Sequence, residues 1–267
     1  MLIVSIYLAV LGLCAGSFVN ALVWRIHESK DFVRGRSQCT SCGHQLATKD
    51  LVPIFSWLSL KGRCRYCRQS ISVQYPLVEA IAGLTFVASY LLWPSSLQQT
   101  GNLVQLITWL IASVGLLALA VYDLKWMLLP SKILYPTFVV AVLGQVVYLV
   151  GYAPDKTSFL INWAASIVVA SGLFWLLFTV SRGHWIGYGD VRLGLITGTL
   201  LAKPSLSFLM IFIASLLGSL VILPLLVTGK KGLSAKIPYG PFLVLATAIC
   251  LLFGQSLIDW YKNLFIT

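Results

Sequence analysis

The sequence predicts an all-α membrane protein: a helical bundle of about eight spans with one small polar insert near the N-terminus. Three observations lead there. Of 267 residues, 58% are hydrophobic and only 10% are charged. The apolar residues fall in long uninterrupted runs, and runs of about 17–25 residues are the length a spanning helix needs. Nearly half of the cations, nine of nineteen Lys and Arg, are confined to the stretch from Arg25 to Arg68. The length would suit one or two soluble domains, but a soluble core has no use for so many long apolar runs.

Apolar runs and the charges that interrupt them place the spans at 2–23, 77–93, 103–122, 134–151, 159–180, 191–202, 205–228 and 240–258. The first run has no Lys or Arg before Arg25. A signal peptide carries its positive charge ahead of the apolar run, so a retained first span with its N-terminus outside is expected. Eight crossings put sixteen Lys and Arg on the side of the 24–76 insert and three, Lys156, Lys203 and Lys262, on the other. That asymmetry makes the insert side cytoplasmic. The segment 191–202 is short for a crossing, which points to a tilted helix or a thinned, water-filled region.

The net charge of +11 does not indicate nucleic acid, because the cations sit in the insert and between apolar runs rather than on one basic surface. The insert holds Cys39-Thr-Ser-Cys42 and Cys64-Arg-Tyr-Cys67. Two C-x-x-C pairs supply four thiolates in a tetrahedron, which suits zinc, and four thiolates make the metal structural. A segment of about fifty residues has too small a core to fold readily alone, and a metal staple supplies what is missing. The alternatives are disulfides or a redox role, though disulfides seldom persist in the cytoplasm, and unligated thiols. His44 stands beside the cluster, and Cys14 and Cys250 read as small core residues.

Eight acids remain to be placed. Glu28, Asp31 and Asp50 lie in the basic insert and read as solvated, Asp155 in an outer loop, and Asp259 near the end. Glu79, Asp123 and Asp190 stand close to span ends on the insert side. An ionisable group at membrane depth is costly and points to function, while the plain alternative is an anchor at the interface. Asp123 ends the run 103–122. Asp190 closes Gly187-Tyr188-Gly189-Asp190, whose glycines let the backbone approach a substrate strand or another helix closely. Lys125 and Arg192, each two residues past an aspartate, are supporting candidates. Two neighbouring carboxylates share one proton, so one is a base and the other an acid. Such a pair can hydrolyse a peptide through water, with neither a metal nor a nucleophilic serine.

Taken in order, Gly16-Ser17-Phe18-Val19-Asn20 with Arg25, the two C-x-x-C pairs, Tyr75-Pro76-Leu77-Val78-Glu79, Asp123, the Gly-x-Gly-Asp ending in Asp190, and Ile237-Pro238-Tyr239-Gly240-Pro241-Phe242 closely resemble the type IV prepilin peptidases, or leader peptidase/N-methyltransferases. The resemblance covers essentially the whole chain. It implies a multi-pass protein of the bacterial inner membrane that cuts the leader from prepilins or pseudopilins of type IV pilus and type II secretion systems. It also implies methylation of the new N-terminal amine with S-adenosylmethionine. By resemblance, Asp123 and Asp190 are catalytic, the four cysteines bind zinc, residues 1–100 form the methyltransferase-like part, and 101–267 the aspartyl peptidase part. Glu79, Asn20 and Arg25 are the methyltransferase candidates. Glu79 could equally be an interface anchor, and Asn20 and Arg25 could brace the insert. The chain departs from the family at Arg192, where lysine is common, and at Ser131, where an acid is common. Two other classes fit the composition: a membrane scaffold docking a partner through its zinc loop, and a transporter, which would place acids near the bilayer midplane.

Overall fold

The computed structural model describes residues 1–31, 35–228 and 237–265. Among these there is no β-strand, only two isolated bridges in the insert, Gln38 to Gln45 and Arg63 to Ser70. The helices are α1 (Leu2–His27), α2 (Phe55–Ser59), α3 (Gln74–Leu91), α4 (Thr100–Trp126), α5 (Ser131–Gly151), α6 (Lys156–Ile167), α7 (Leu173–Ser181), α8 (Tyr188–Leu201), α9 (Pro204–Val227) and α10 (Gly240–Phe265). A π-helical turn, Val168–Gly172, joins α6 to α7 without a break. All eight predicted spans are therefore helical. Among the described residues, six helices are long and apolar enough to cross a membrane: α1, α4, α5, the joined α6–α7, α9 and α10. The spans expected over 77–93 and 191–202 are not among those six.

The chain divides into two compact units, Met1–Leu91 and Leu92–Thr267. In the first, α1 packs along α3 with the backbones nearly touching. A Cβ on Gly16 would stand 2.5 Å from the Cα of Glu79, and one on Gly12 would stand 2.7 Å from the Ala82 carbonyl oxygen. Gly12 and Gly16 are one helical turn apart, the small-xxx-small spacing that lets helices approach closely in lipid. Gly16→Leu is expected to cost about 3 kcal/mol, because the intruding side chain meets backbone that cannot yield. A denaturation midpoint equal to wild type, measured in detergent, would contradict this packing.

The second unit is built around α8. This helix is only 14 residues, yet Val191, Leu193, Gly194 and Ile196–Leu201 are all buried. Its length of about 21 Å does not have to match the bilayer, because neighbouring helices rather than lipid surround it. Gly194 and Gly198 repeat the one-turn spacing: a Cβ on Gly194 would meet the Ala170 carbonyl at 2.7 Å, and one on Gly198 the Ile167 Cα at 2.9 Å. They lie against the π turn, where the Ser171 hydroxyl donates to the Val191 carbonyl at 2.9 Å. The Ser166 hydroxyl donates to the Gly198 carbonyl at 2.8 Å and meets the Ser207 hydroxyl at 2.7 Å. Buried hydroxyls on and beside the π turn thus find acceptors on α8.

Helix ends follow local chemistry. Arg182 and Gly183 take left-handed conformations after α7, Met127 does so after α4, and Ala202 after α8, one residue before Lys203-Pro204. Asp155, expected from sequence in an outer loop, caps α6 by accepting from the Thr157 and Ser158 N–H groups, a structural role. Outward-facing residues such as Ile111, Leu143, Trp175, Phe208 and Phe212 are exposed, as expected of surfaces that face lipid.

Candidate active site and metal centre

Asp123 lies in the last turn of α4, where the Met127 N–H closes the helix on its carbonyl at 2.8 Å. Its side chain is buried, 6% exposed. Oδ2 accepts a hydrogen bond of 3.0 Å from the backbone N–H of Gly240, the first residue of α10. Asp190 is the third residue of α8, with Gly187 as the N-cap, and its carboxylate is hydrogen-bonded to the Gly187 backbone. A carboxylate at this position reaching back to the cap is one half of a capping box. Each acid is therefore held by a glycine at a helix N-terminus, where the helix dipole favours negative charge. The two lie close enough that the charge on Asp123 acts on Asp190, and that on Asp190 acts on Tyr239.

The antiparallel run of α4 and α8 puts both acids at one end of this unit. Its other end holds a cavity of about 450 Å³ lined by residues that include Asn102, Gln145, Leu200 and Lys203. Neither aspartate lines that cavity.

The two glycines of the motif differ. A Cβ on Gly189 would press on Leu129 at 3.0 Å, so this glycine makes room for the α4–α5 connection. Gly187 has an extended backbone, φ −75° and ψ 148°, and a Cβ there would meet Asp190 Oδ2 at an ordinary 3.7 Å. Neither supporting cation forms an ion pair with an aspartate among the described residues. Lys125 is exposed beside the Trp126 ring. Arg192 donates to the Ser131 hydroxyl at 2.9 Å and lies over the Tyr135 ring. The two positions at which the sequence departs from the resemblance, Ser131 and Arg192, are thus partners of one another.

In the first unit the four thiols of Cys39, Cys42, Cys64 and Cys67 lie within 4.8 Å of one another, a group that could hold a metal ion. The Cys39 and Cys67 sulfurs are 3.9 Å apart, near the roughly 3.8 Å edge of a tetrahedron of sulfurs about 2.3 Å from zinc. All are free thiols. The two knuckles are built alike. The Cys39 N–H bonds the His44 carbonyl and the Gly43 N–H the Cys39 carbonyl; the Cys64 N–H bonds the Gln69 carbonyl and the Arg68 N–H the Cys64 carbonyl. Gly43 and Arg68 both take positive φ. Burial raises the Cys39 thiol, but the N–H groups of Cys42 and Ser41 and the thiols of Cys64 and Cys42 outweigh it and bring it down to about 7. The Gln69 N–H favours the Cys67 thiolate, but burial and the other three thiols push it up to about 11. Four thiols crowded together cannot all ionise without a cation between them. His44 stacks on Tyr66, ring centroids 3.7 Å apart, tying one knuckle to the other.

Asp50 is not solvated, contrary to the expectation from sequence. Its side chain is only 3% exposed and accepts from Arg65 Nε at 2.7 Å, from the Tyr66 hydroxyl at 3.1 Å and from the Ala47 N–H at 3.2 Å. Burial opposes the charge, but these donors, Arg65 foremost, hold the carboxyl below its usual range. A lowered carboxyl stabilises the fold above its ordinary range, near pH 4, and that contribution is lost as pH falls through the lowered value. The wild type should therefore unfold at a higher temperature than Asp50→Asn at pH 6, with the gap closing toward pH 3. A gap independent of pH would exclude an ionised Asp50.

The methyltransferase candidates are held in place. The Asn20 amide donates to the Tyr75 carbonyl at 3.0 Å and its oxygen accepts from Gln74 at 3.3 Å, joining α1 to the start of α3. The guanidinium of buried Arg25 lies beside Gly35. Glu79, 7% exposed, accepts from the Ile54 N–H at 2.7 Å and bonds Ser17. Ile54 itself has φ 62° and ψ −52°, a conformation costly for a β-branched residue. Gly240 stands in the Ile237–Phe242 motif with no side chain to mark it, and a backbone donor leaves no trace in the pattern of side chains. Lys230, Lys231 and Lys236, counted above for orientation, lie outside the described residues.

The fold and these two centres define a class: a polytopic helical membrane protein with a close acid pair at one end of a bundle and a four-thiol cluster in an N-terminal insert. The chain belongs to the type IV leader peptidase family. The family model described as "Type IV leader peptidase family" matches residues 110–223, and that described as "Bacterial Peptidase A24 N-terminal domain" matches 10–93. The chain is 34% identical to a prepilin leader peptidase/N-methyltransferase of Aeromonas salmonicida, over 85% of this chain and 75% of that one. It is 31% identical to one of Pectobacterium carotovorum subsp. carotovorum over 89% of each, and 30% identical to one of Pseudomonas putida over 93% and 90%. No solved structure matches.

Proposed function

We propose that this enzyme removes the leader peptide from type IV prepilins or pseudopilins and then methylates the exposed N-terminal amine. The observation that carries the peptidase reading is the pair Asp123 and Asp190, rare acids in an apolar chain, each held by a glycine at a helix N-terminus and each within electrostatic reach of the other. One carboxylate takes a proton from water as the water oxygen attacks the scissile carbonyl carbon. The other, as the acid, gives its proton to the carbonyl oxygen. When the C–N bond breaks, the departing amine takes a proton from the first group and the tetrahedral diol returns one to the second, leaving a carboxylic acid, a free amine and the pair in its starting protonation state. The relatives' names carry both activities.

In this reading residues 101–267 form the peptidase and residues 1–100 the methyltransferase part. Cys39, Cys42, Cys64 and Cys67 hold a structural zinc, whose charge lets all four thiolates exist together. S-adenosylmethionine supplies an electrophilic methyl group, and the new amine is the nucleophile. Asn20, Arg25 and Glu79 support the reading as braces that seat the insert on α1 and α3. The same three residues are the candidates in that part for handling the methyl acceptor or donor. The cation count of sixteen against three supports a cytoplasmic insert, and the same sequence count supports that side of the inner membrane for the run ends that carry Asp123 and Asp190.

The test is a single assay. Protein reconstituted in phospholipid is given a prepilin and S-adenosylmethionine labelled on its methyl group. The prepilin should shorten and its new N-terminus should carry the label. A prepilin left intact sinks the peptidase reading, and shortening without label sinks the methyltransferase one.

A further inference from the structure

We propose that Gly240 is a positioning residue of the peptidase, setting the Asp123 carboxylate so that Oδ2 is anchored and Oδ1 is left to work on water. This rests on the reading of Asp123 and Asp190 as the catalytic pair. The Gly240 N–H reaches Oδ2 at 3.0 Å across 117 residues of sequence, in a buried setting. A Cβ on Gly240 would lie 2.7 Å from that Oδ2, 3.4 Å from Cγ and 3.6 Å from Cβ of the same aspartate. Its three nearest contacts therefore all belong to one side chain. Gly240 has no positive φ, so backbone freedom does not explain the glycine. Gly189 is explained by Leu129, and Gly194 and Gly198 by the π turn; Gly240 is explained by Asp123.

The peptide that carries this N–H is itself held. The Tyr239 hydroxyl meets Ser215 at 3.2 Å and its ring stands edge-on to Phe174, centroids 5.8 Å apart. The charge of Asp190 acts on the same tyrosine. Gly240 therefore sits against Asp123, while its neighbour Tyr239 lies within electrostatic reach of Asp190. A donor at a helix N-terminus, bonded to one carboxylate oxygen, fixes the rotamer and favours the charged form. Gly187 does the corresponding service for Asp190.

Two changes to the full-length reconstituted protein separate the parts of this claim. Gly240→Ala keeps the N–H but forces the carboxylate aside, and misplacement on the order of 1 Å can cost about 100-fold in turnover. Replacing the amide between Tyr239 and Gly240 by an ester deletes the N–H and adds no atom; kcat should fall roughly tenfold. In both, KM for prepilin should stay within about twofold, and labelled methyl transfer to an already shortened peptide should be unchanged. Gly218→Ala is the matched control, because its Cβ would meet Phe242 at an ordinary 3.6 Å, and it should cleave as wild type. If both Gly240 changes leave kcat at the wild-type value, or if the loss is entirely in KM, the positioning role is wrong. If Asp123→Asn also cleaves normally, the fault lies in the catalytic pair itself.

Discussion

Asp123→Asn and Asp190→Asn should each lower prepilin cleavage by about 10³-fold or more, the scale expected when a general acid or base is removed from a cooperating pair. Asparagine has the size of aspartate and an oxygen that can still accept from the Gly240 or Gly187 N–H, so the fold has no reason to change. It cannot take a proton from water or return one to the leaving amine. The double variant should be no worse than either single one, because two groups that share one proton fail together. Labelled methyl transfer to a peptide already lacking its leader should continue at the wild-type rate, which also shows that the protein is folded. Cleavage by either variant at more than a tenth of the wild-type rate would remove that residue from the chemistry.

The cysteine cluster carries the second large effect. Structural zinc contributes about 10–16 kcal/mol of apparent binding free energy to small domains that fold around it, far more than an insert with a core this small can supply from packing. Cys42→Ser or Cys64→Ser should therefore release the metal and unfold the insert, abolishing methyl transfer. Leader cleavage should fall far less, since Asp123, Asp190 and the glycines that hold them belong to the other compact unit. Acid should act in the same direction as mutation. The metal requires four thiolates, and with Cys67 pushed up to about 11 in the bare cluster, protons compete strongly for the ligands as pH falls. Mass spectrometry of the intact protein with a parallel methylation assay would check both. A Cys64→Ser protein that keeps one zinc and full methyl transfer would refute the structural role.

Much of the fold could be read from the chain. Spanning helices are set by composition over twenty residues, and every apolar run is helical. The C-x-x-C pairs were legible because a metal site needs specific atoms at fixed spacing, and spacing is written in the sequence. Asp123 and Asp190 stood out because acids are rare beside apolar runs. Asp50 was misplaced for the converse reason: among many cations an acid looks solvated, and its three donors come together only when the insert folds.

The sequence by itself determined the helical membrane class, the knuckle pairs and the identity of the two acids, since each depends on residue type at short range. Tertiary structure alone decided three other things. It made short α8 a central helix, relieving it of any need to match the bilayer. It turned Asn20 and Glu79 into braces by bringing α1, α3 and the insert together. And it carried a backbone N–H from residue 240 to a carboxylate at residue 123. Backbone donors are chemically the same in every residue, so where one points is a property of packing and cannot be read from residue type.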